Sequence, residues 1–203
     1  MSENKNAFYS WIHRWIGPIF QFFFPIKVEG LEHVSGESVI LCPNHSSALD
    51  PIMMVCALPR NYSLRMMAKK QLMDTPIVGW FLRKLGAFGV DRGNSDIQSL
   101  KTAIRSLREG SSLLIFPEGT RVKEGMAPVR AKAGAAMFAF RNQVPLVPVY
   151  IPAGRKAFRK NTIVIGEPYL LSFNGKPSHE QYQEMADDLM IRICQLAQKE
   201  RSV

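Results

Sequence analysis

Apolar residues fall along this chain in short unbroken runs, separated by stretches in which they recur every three or four positions. Runs of the first kind read as buried strands and stretches of the second as helices with one face on a core. Strands are predicted at 38–42 (SVILC), 64–68, 112–116, 146–151 and 162–165. Helices are predicted from Pro51 to about position 58, at 76–85, at 94–109, at 131–141, and from Ser178 onward. In the 94–109 stretch, Ile97, Leu100, Ile104 and Leu107 keep helical spacing, Asn94 and Ser95 are cap candidates, and Gly110 is a stop. Ser178 and Gln181 have the spacing of a capping box, and Tyr182, Met185, Leu189 and Ile193 behind them face a core. Strands and helices alternate without an internal repeat. The expected fold is α/β, a single domain with a mostly parallel or mixed sheet flanked by helices.

The pattern breaks near the amino terminus. Positions 11–26 (WIHRWIGPIFQFFFPI) hold Trp11, Trp15, Phe20, Phe22, Phe23 and Phe24, interrupted by His13, Arg14, Gly17, Pro18 and Gln21. The uninterrupted apolar part is far shorter than the ~20 residues of a spanning helix. No small-residue cleavage site follows, so an export signal is not expected either. Two readings remain: a helix packed on the protein's own core, or an aromatic segment lying in a membrane interface beside its basic residues. The interface reading divides the chain into a helical segment 1–27 and a domain 28–203.

With 203 residues and 46% hydrophobic content, the chain can bury a substantial core. A net charge of +9 points to an anionic partner: a phosphorylated substrate, a nucleotide-bearing cosubstrate, a membrane surface or nucleic acid. The basic residues are dispersed and no recognition motif accompanies them, so nucleic acid is not expected. Cys42, Cys56 and Cys194 are scattered through apolar segments, which suits buried thiols in a reducing compartment. Their spacing gives neither a disulfide framework nor a metal site.

Candidate chemistry lies in Pro43-Asn44-His45-Ser46-Ser47-Ala48-Leu49-Asp50. A neutral imidazole can take a proton from a hydroxyl near pH 7, and a carboxylate on its other nitrogen fixes the tautomer and stabilises the imidazolium. Asp50 precedes Pro51, so it can equally be the cap of the helix that follows. Within one helix, residues five apart point about 140° away from each other, so His45 and Asp50 can meet only across a turn. The break at Pro43-Asn44 supplies one, at a strand-to-helix junction of the kind where ligands collect in α/β folds.

A second cluster follows the 112–116 run: Pro117-Glu118-Gly119-Thr120-Arg121. Arg121 can grip phosphate oxygens in a fork, Gly119 permits close backbone approach, and Glu118 can position Arg121 or a hydroxyl. A plain strand-end turn with a surface arginine is the alternative.

Asn44-His45-x4-Asp50, then Gly86-Ala87-Phe88-Gly89-Val90-Asp91-Arg92, then Phe116-Pro117-Glu118-Gly119-Thr120-Arg121, then Val147-Pro148-Val149 occur in that order. The combination resembles the glycerolipid acyltransferase family, and within it the 1-acylglycerol-3-phosphate acyltransferases, over about 28–165. The resemblance implies transfer of a fatty acyl group from acyl-coenzyme A or acyl carrier protein, a donor substrate rather than a cofactor, to the free hydroxyl of lysophosphatidic acid. The product is phosphatidic acid, an intermediate of phospholipid biosynthesis. It implies His45 as general base with Asp50 its partner, and Arg92, Glu118, Gly119, Thr120 and Arg121 around the phosphorylated acceptor. Lys69 is another basic group for that phosphate, or a solvated lysine of a basic pair. Gly89 stands where the family carries a bulky apolar residue, and Val122 where a serine is common; both bear on loop shape and acceptor preference. The resemblance also implies residence at the cytoplasmic face of a membrane, peripheral or monotopic. Two alternatives remain: the same fold acting on another lysophospholipid or a glycolipid, and a non-catalytic membrane protein holding anionic lipid.

Overall fold

Alternate residues of the SVILC run face opposite sides, and both sides are covered. Ile40 and Cys42 enter one apolar cluster, Leu41 the other. That is the arrangement expected of a central strand in a parallel sheet sandwiched between helices. The computed structural model describes residues 7–34, 36–91, 97–122 and 129–201.

The chain opens with α1 (Ala7–Trp11), a π-helical stretch (Ile12–Ile16) and α2 (Gly17–Phe23). Gly17 N–H bonds to Ile12 C=O, the five-residue step of a π turn. Pro18 follows it and has no N–H to continue the ordinary ladder. Tyr9 and Ile12 are buried in the core, and Tyr9 Oη donates to Val55 C=O at 3.4 Å. Trp11, Trp15, Ile19, Phe22 and Phe23 on the other side are exposed. The helical segment thus has a face in the core and an exposed aromatic face, with Arg14, Pro18 and Gln21 also exposed. No helix among the described residues is long and apolar enough to cross a membrane.

Next come β1 (Ile26–Glu29), β2 (Ile40–Pro43), α3 (Asp50–Ala57), β3 (Leu64–Lys69), α4 (Lys70–Met73), α5 (Pro76–Lys84) and β4 (Ala87–Val90). After them run α6 (Ile97–Arg108), β5 (Ser112–Leu114), α7 (Gly134–Asn142), β6 (Leu146–Tyr150), β7 (Asn161–Ile165) and α8 (His179–Arg201). The described strands form one sheet in the order β1-β7-β6-β2-β5-β3-β4. The pairs are parallel except β6 with β7, so the sheet is mixed. Met53, Met54 and Val55 of α3 pack on one face, with Tyr9 and Ile12. Ala103 and Leu107 of α6, Phe138 of α7, and Leu189 and Ile193 of α8 pack on the other.

Every predicted helix and strand is present, with adjusted ends. β5 stops at Leu114 because the chain turns at Pro117, which has no amide hydrogen for a ladder. α7 begins at Gly134 rather than 131, because Lys132 N–H is bonded to Pro117 C=O and ties that segment to the same turn. The capping box forms: Ser178 N–H donates to Gln181 Oε1 at 2.7 Å, and Gln181 N–H to Ser178 Oγ at 3.2 Å. Asn94 and Ser95 lie outside the described residues.

Three corrections follow. β1 and β4 were not marked by the apolar pattern, and β1 begins at Ile26, inside the segment set apart as 1–27. Cys194 is exposed, because it lies on α8 next to the inward Ile193 and faces away from the sheet, whereas Cys42 and Cys56 are buried as expected.

Candidate active site

The parallel strands β2, β5, β3, β4 and β6 deliver their carboxyl ends to one edge of the sheet, and the candidate residues collect there. Pro43 ends β2, and Asn44 takes over the pairing with the neighbouring chain. Its Nδ2 donates to Ile151 C=O at 2.9 Å, and Ile151 N–H donates to its Oδ1 at 2.7 Å. This amide clasp fixes where the turn leaves the sheet.

His45 follows on that turn, and its backbone is held at both ends by the Phe116–Arg121 motif and the residue after it. His45 N–H donates to Glu118 Oε2 at 2.6 Å, and Val122 N–H donates to His45 C=O at 2.8 Å. The two motifs, far apart in sequence, therefore form one loop pair. Phe116 supplies a wall for the imidazole, with ring centroids 4.1 Å and planes 27° apart.

Asp50 is fully buried at the start of α3. Its Oδ2 lies 2.7 Å from His45 Nδ1 and accepts Ser46 N–H and Ser47 N–H, each at 2.8 Å. The carboxylate thus reaches back into the preceding turn and is not the helix cap that the Asp-Pro signal suggested; Leu49 occupies the N-cap without a side-chain bond. The turn geometry is the one required for contact between residues five apart. A proton on Nδ1 facing Asp50 leaves the Nε2 lone pair as the base of the ring. The His45 side chain is 17% exposed, enough for a substrate hydroxyl to reach it.

Glu118 is buried beside this pair. Burial, helped by the Asp50 charge and opposed by the bond from His45 N–H, pushes its carboxyl up to about 7. Gly119 has φ +66°, a left-handed conformation that glycine adopts without strain, and completes the turn with its N–H on Phe116 C=O. A Cβ there would lie 2.9 Å from Lys132 Cε, so the Lys132 side chain covers the turn at Gly119. Thr120 and Arg121 are exposed at the mouth.

The structure brings His45, Asp50, Glu118 and the 119–121 turn together. Lys69 ends β3 and is exposed two strands from β2, about 10 Å across the sheet. Arg92 lies outside the described residues, two positions beyond the end of β4. Gly89 packs on α4, where an added Cβ would make only ordinary contacts, 3.4 Å from Met73 Cγ. One contributor has no signal in the local sequence: Arg155, in the loop after β6, whose Nη2 pairs closely with Asp50 Oδ1 and donates to Ser46 Oγ at 2.9 Å. Chemically, the arrangement joins an oriented, reachable imidazole to a cationic loop that can hold an anionic group beside it.

The sequence model of the acyltransferase family matches residues 25–152. The 1-acyl-sn-glycerol-3-phosphate acyltransferase of Bacillus subtilis is 38% identical over 183 residues, covering 86% of this chain and 89% of the relative. The enzyme of the same name from Limnanthes douglasii is 29% identical over 86% of this chain, which spans 65% of that relative's length. Among solved structures, the 1-acyl-sn-glycerophosphate (LPA) acyltransferase of Thermotoga maritima superposes with a TM-score of 0.67 at 25% identity, over 97% of this chain and 84% of that one.

Proposed function

The chain belongs to the acyltransferase family, and from that premise we propose that it transfers a fatty acyl group from a thioester, acyl-coenzyme A or acyl carrier protein, to the free hydroxyl of 1-acylglycerol-3-phosphate, giving phosphatidic acid. The observation that carries this reading is the His45 imidazole 2.7 Å from buried Asp50, on a backbone whose N–H is bonded to Glu118 of the 118–121 loop.

The acceptor hydroxyl bonds to Nε2 of His45. Its oxygen attacks the thioester carbonyl while its proton passes to Nε2, and Asp50 stabilises the imidazolium through Nδ1–H. The tetrahedral oxyanion collapses, the carbon–sulfur bond breaks, and the imidazolium returns the proton to the departing thiolate. A positioned base contributes about 10²–10⁴ in rate. Arg121, with Lys132, Lys69 and Arg92 as further cations, holds the acceptor phosphate so that its hydroxyl stays beside His45. Glu118, through His45 N–H, fixes the backbone of the base.

In this reading the enzyme is peripheral or monotopic at the cytoplasmic face of a membrane, and the exposed Trp11, Trp15, Ile19, Phe22 and Phe23 supply a surface suited to that contact. Phe158 extends it, its ring edge-on to Phe22 at 5.8 Å and tilted against Phe23 at 5.4 Å. The net charge of +9 favours an anionic lipid surface.

The test is thiol release by purified protein from acyl-coenzyme A and from acyl carrier protein, against a panel of glycerol acceptors. Release dependent on lysophosphatidic acid supports the proposal. Release with only another lysophospholipid or a glycolipid moves the acceptor assignment, and lipid binding without release with any pair makes the chain a non-catalytic binder.

A further inference from the structure

Asp50 is fully buried, and each of its oxygens is committed. Oδ2 serves His45 Nδ1, Ser46 N–H and Ser47 N–H. Oδ1 is held by Arg155 Nη2, which also donates to Ser46 Oγ at 2.9 Å. The Arg155 side chain is only 6% exposed, unusual for a residue type that normally keeps its charge in water.

The loop that delivers Arg155 is clamped at both roots by amides. At the β6 end stands the Asn44–Ile151 clasp. At the β7 end, buried Asn161 donates Nδ2 to Arg159 C=O at 2.8 Å and to Lys156 C=O at 3.3 Å, and accepts Lys156 N–H at 3.3 Å. Between those anchors the guanidinium reaches Oδ1 of Asp50, the oxygen that His45 leaves free. Its Nε is buried without a partner among the described residues. An uncharged side chain filling the same space would not carry that unmet donor, so the feature the site retains is the positive charge.

We propose that Arg155 is a positioning residue for acyl transfer: it clamps the Asp50 carboxylate and Ser46 as one unit, fixing the plane in which Asp50 meets His45 and balancing the buried negative charge behind the base. This rests on the reading of His45 as the base. Among the described residues, the charged groups around the imidazole are Asp50 from α3 and Glu118 from the loop after β5, with Arg155 from the loop after β6 on Asp50. Tyr150, at the end of β6, is electrostatically coupled to Arg155. Without the guanidinium, two carboxyl groups stand near the imidazole with no buried cation against them. A cation no longer opposes proton uptake at the site, and the acidic limb of the rate profile moves to higher pH.

The test is a double-mutant cycle on the full chain: R155M, R155K, D50N and D50N/R155M, with H45A in the same series. R155M is expected to lower kcat roughly 10- to 100-fold, with KM for both substrates within about twofold, and to move the acidic limb upward by about one pH unit. R155K restores the limb and only part of kcat, since an ammonium supplies charge without the planar fork. Adding R155M to D50N costs less than about twofold more in kcat, because the clamp has no carboxylate left to hold. The double variant buries neither charge unpaired, so the step from D50N to D50N/R155M is read even where R155M alone does not fold, and a large further loss there overturns the positioning role. Multiplicative losses, or a folded R155M with an unmoved acidic limb, overturn the positioning role. A fully active H45A instead overturns the base assignment beneath it, and the two failures are read from different variants.

Discussion

The Phe116 ring lies against the His45 ring, with centroids 4.1 Å and planes 27° apart. The residue that opens the Phe116–Arg121 motif is therefore a wall of the His45 motif, and it limits how far the imidazole can swing from Asp50. Such ring pairs are worth about 0.5–1.5 kcal/mol beyond area burial. F116A is expected to lower kcat roughly five- to tenfold with little change in acceptor KM, as measured by steady-state thiol release. A rise in KM with kcat intact would place Phe116 in substrate binding instead.

Arg121 is exposed at the mouth of the loop that Glu118 anchors, where an acceptor phosphate can be gripped in a fork. Charge-assisted hydrogen bonds contribute about 1.5–3 kcal/mol. R121A is therefore expected to raise the apparent KM for lysophosphatidic acid about tenfold or more while leaving that for the acyl donor nearly unchanged. An unaltered acceptor titration counts against phosphate binding there.

The Glu118 carboxyl, pushed up to about 7 by burial, makes stability depend on pH. The folded protein binds this proton more tightly than the unfolded chain, so the group's contribution is fully present below the ordinary glutamate range, near 4.5, and is lost as pH rises through about 7. Wild-type Tm is expected to fall relative to that of E118Q across this interval, by an amount corresponding to about 1–3 kcal/mol. Parallel Tm curves for the two proteins would remove the buried-acid account.

These placements show what could be read without coordinates. The His45–Asp50 pair was legible because its partners are local, and the angular argument already required a turn between them. The α8 capping box was legible for the same reason, since Ser178 and Gln181 answer each other within one turn. The short strands escaped. β4 holds Gly89 and follows Gly86, which dilutes any apolar run, and β1 is an edge strand with Lys27 exposed. Arg155 escaped entirely, because it meets Asp50 across 105 positions and only the pairing of β6 with β2 brings the two together. In the 11–26 segment, composition left two destinations open, and the helix gives its two sides different surroundings: Tyr9 and Ile12 in the core, Trp15 and Phe22 in solvent.

That outer face yields its own test. Trp15 and Phe22 are 58% and 69% exposed, so replacing both with serine removes little from the core. Burying a large apolar side chain is worth about 1.5–3 kcal/mol, so W15S/F22S is expected to bind phosphatidylglycerol vesicles at least roughly tenfold more weakly in co-sedimentation. Turnover of short-chain, water-soluble substrates should stay the same. Equal sedimentation of variant and wild type would reject this face as the membrane contact.

The central claim is proton transfer by His45, whose replacement by alanine removes a 17% exposed ring and leaves the backbone bonds to Glu118 and Val122 available. The most direct measurement is lysophosphatidic-acid-dependent thiol release by purified H45A, with circular dichroism and Tm taken on the same sample, against both acyl-coenzyme A and acyl carrier protein. A folded protein with kcat reduced about 10²-fold or more is the predicted result; a folded H45A that turns over at close to the wild-type rate would contradict it.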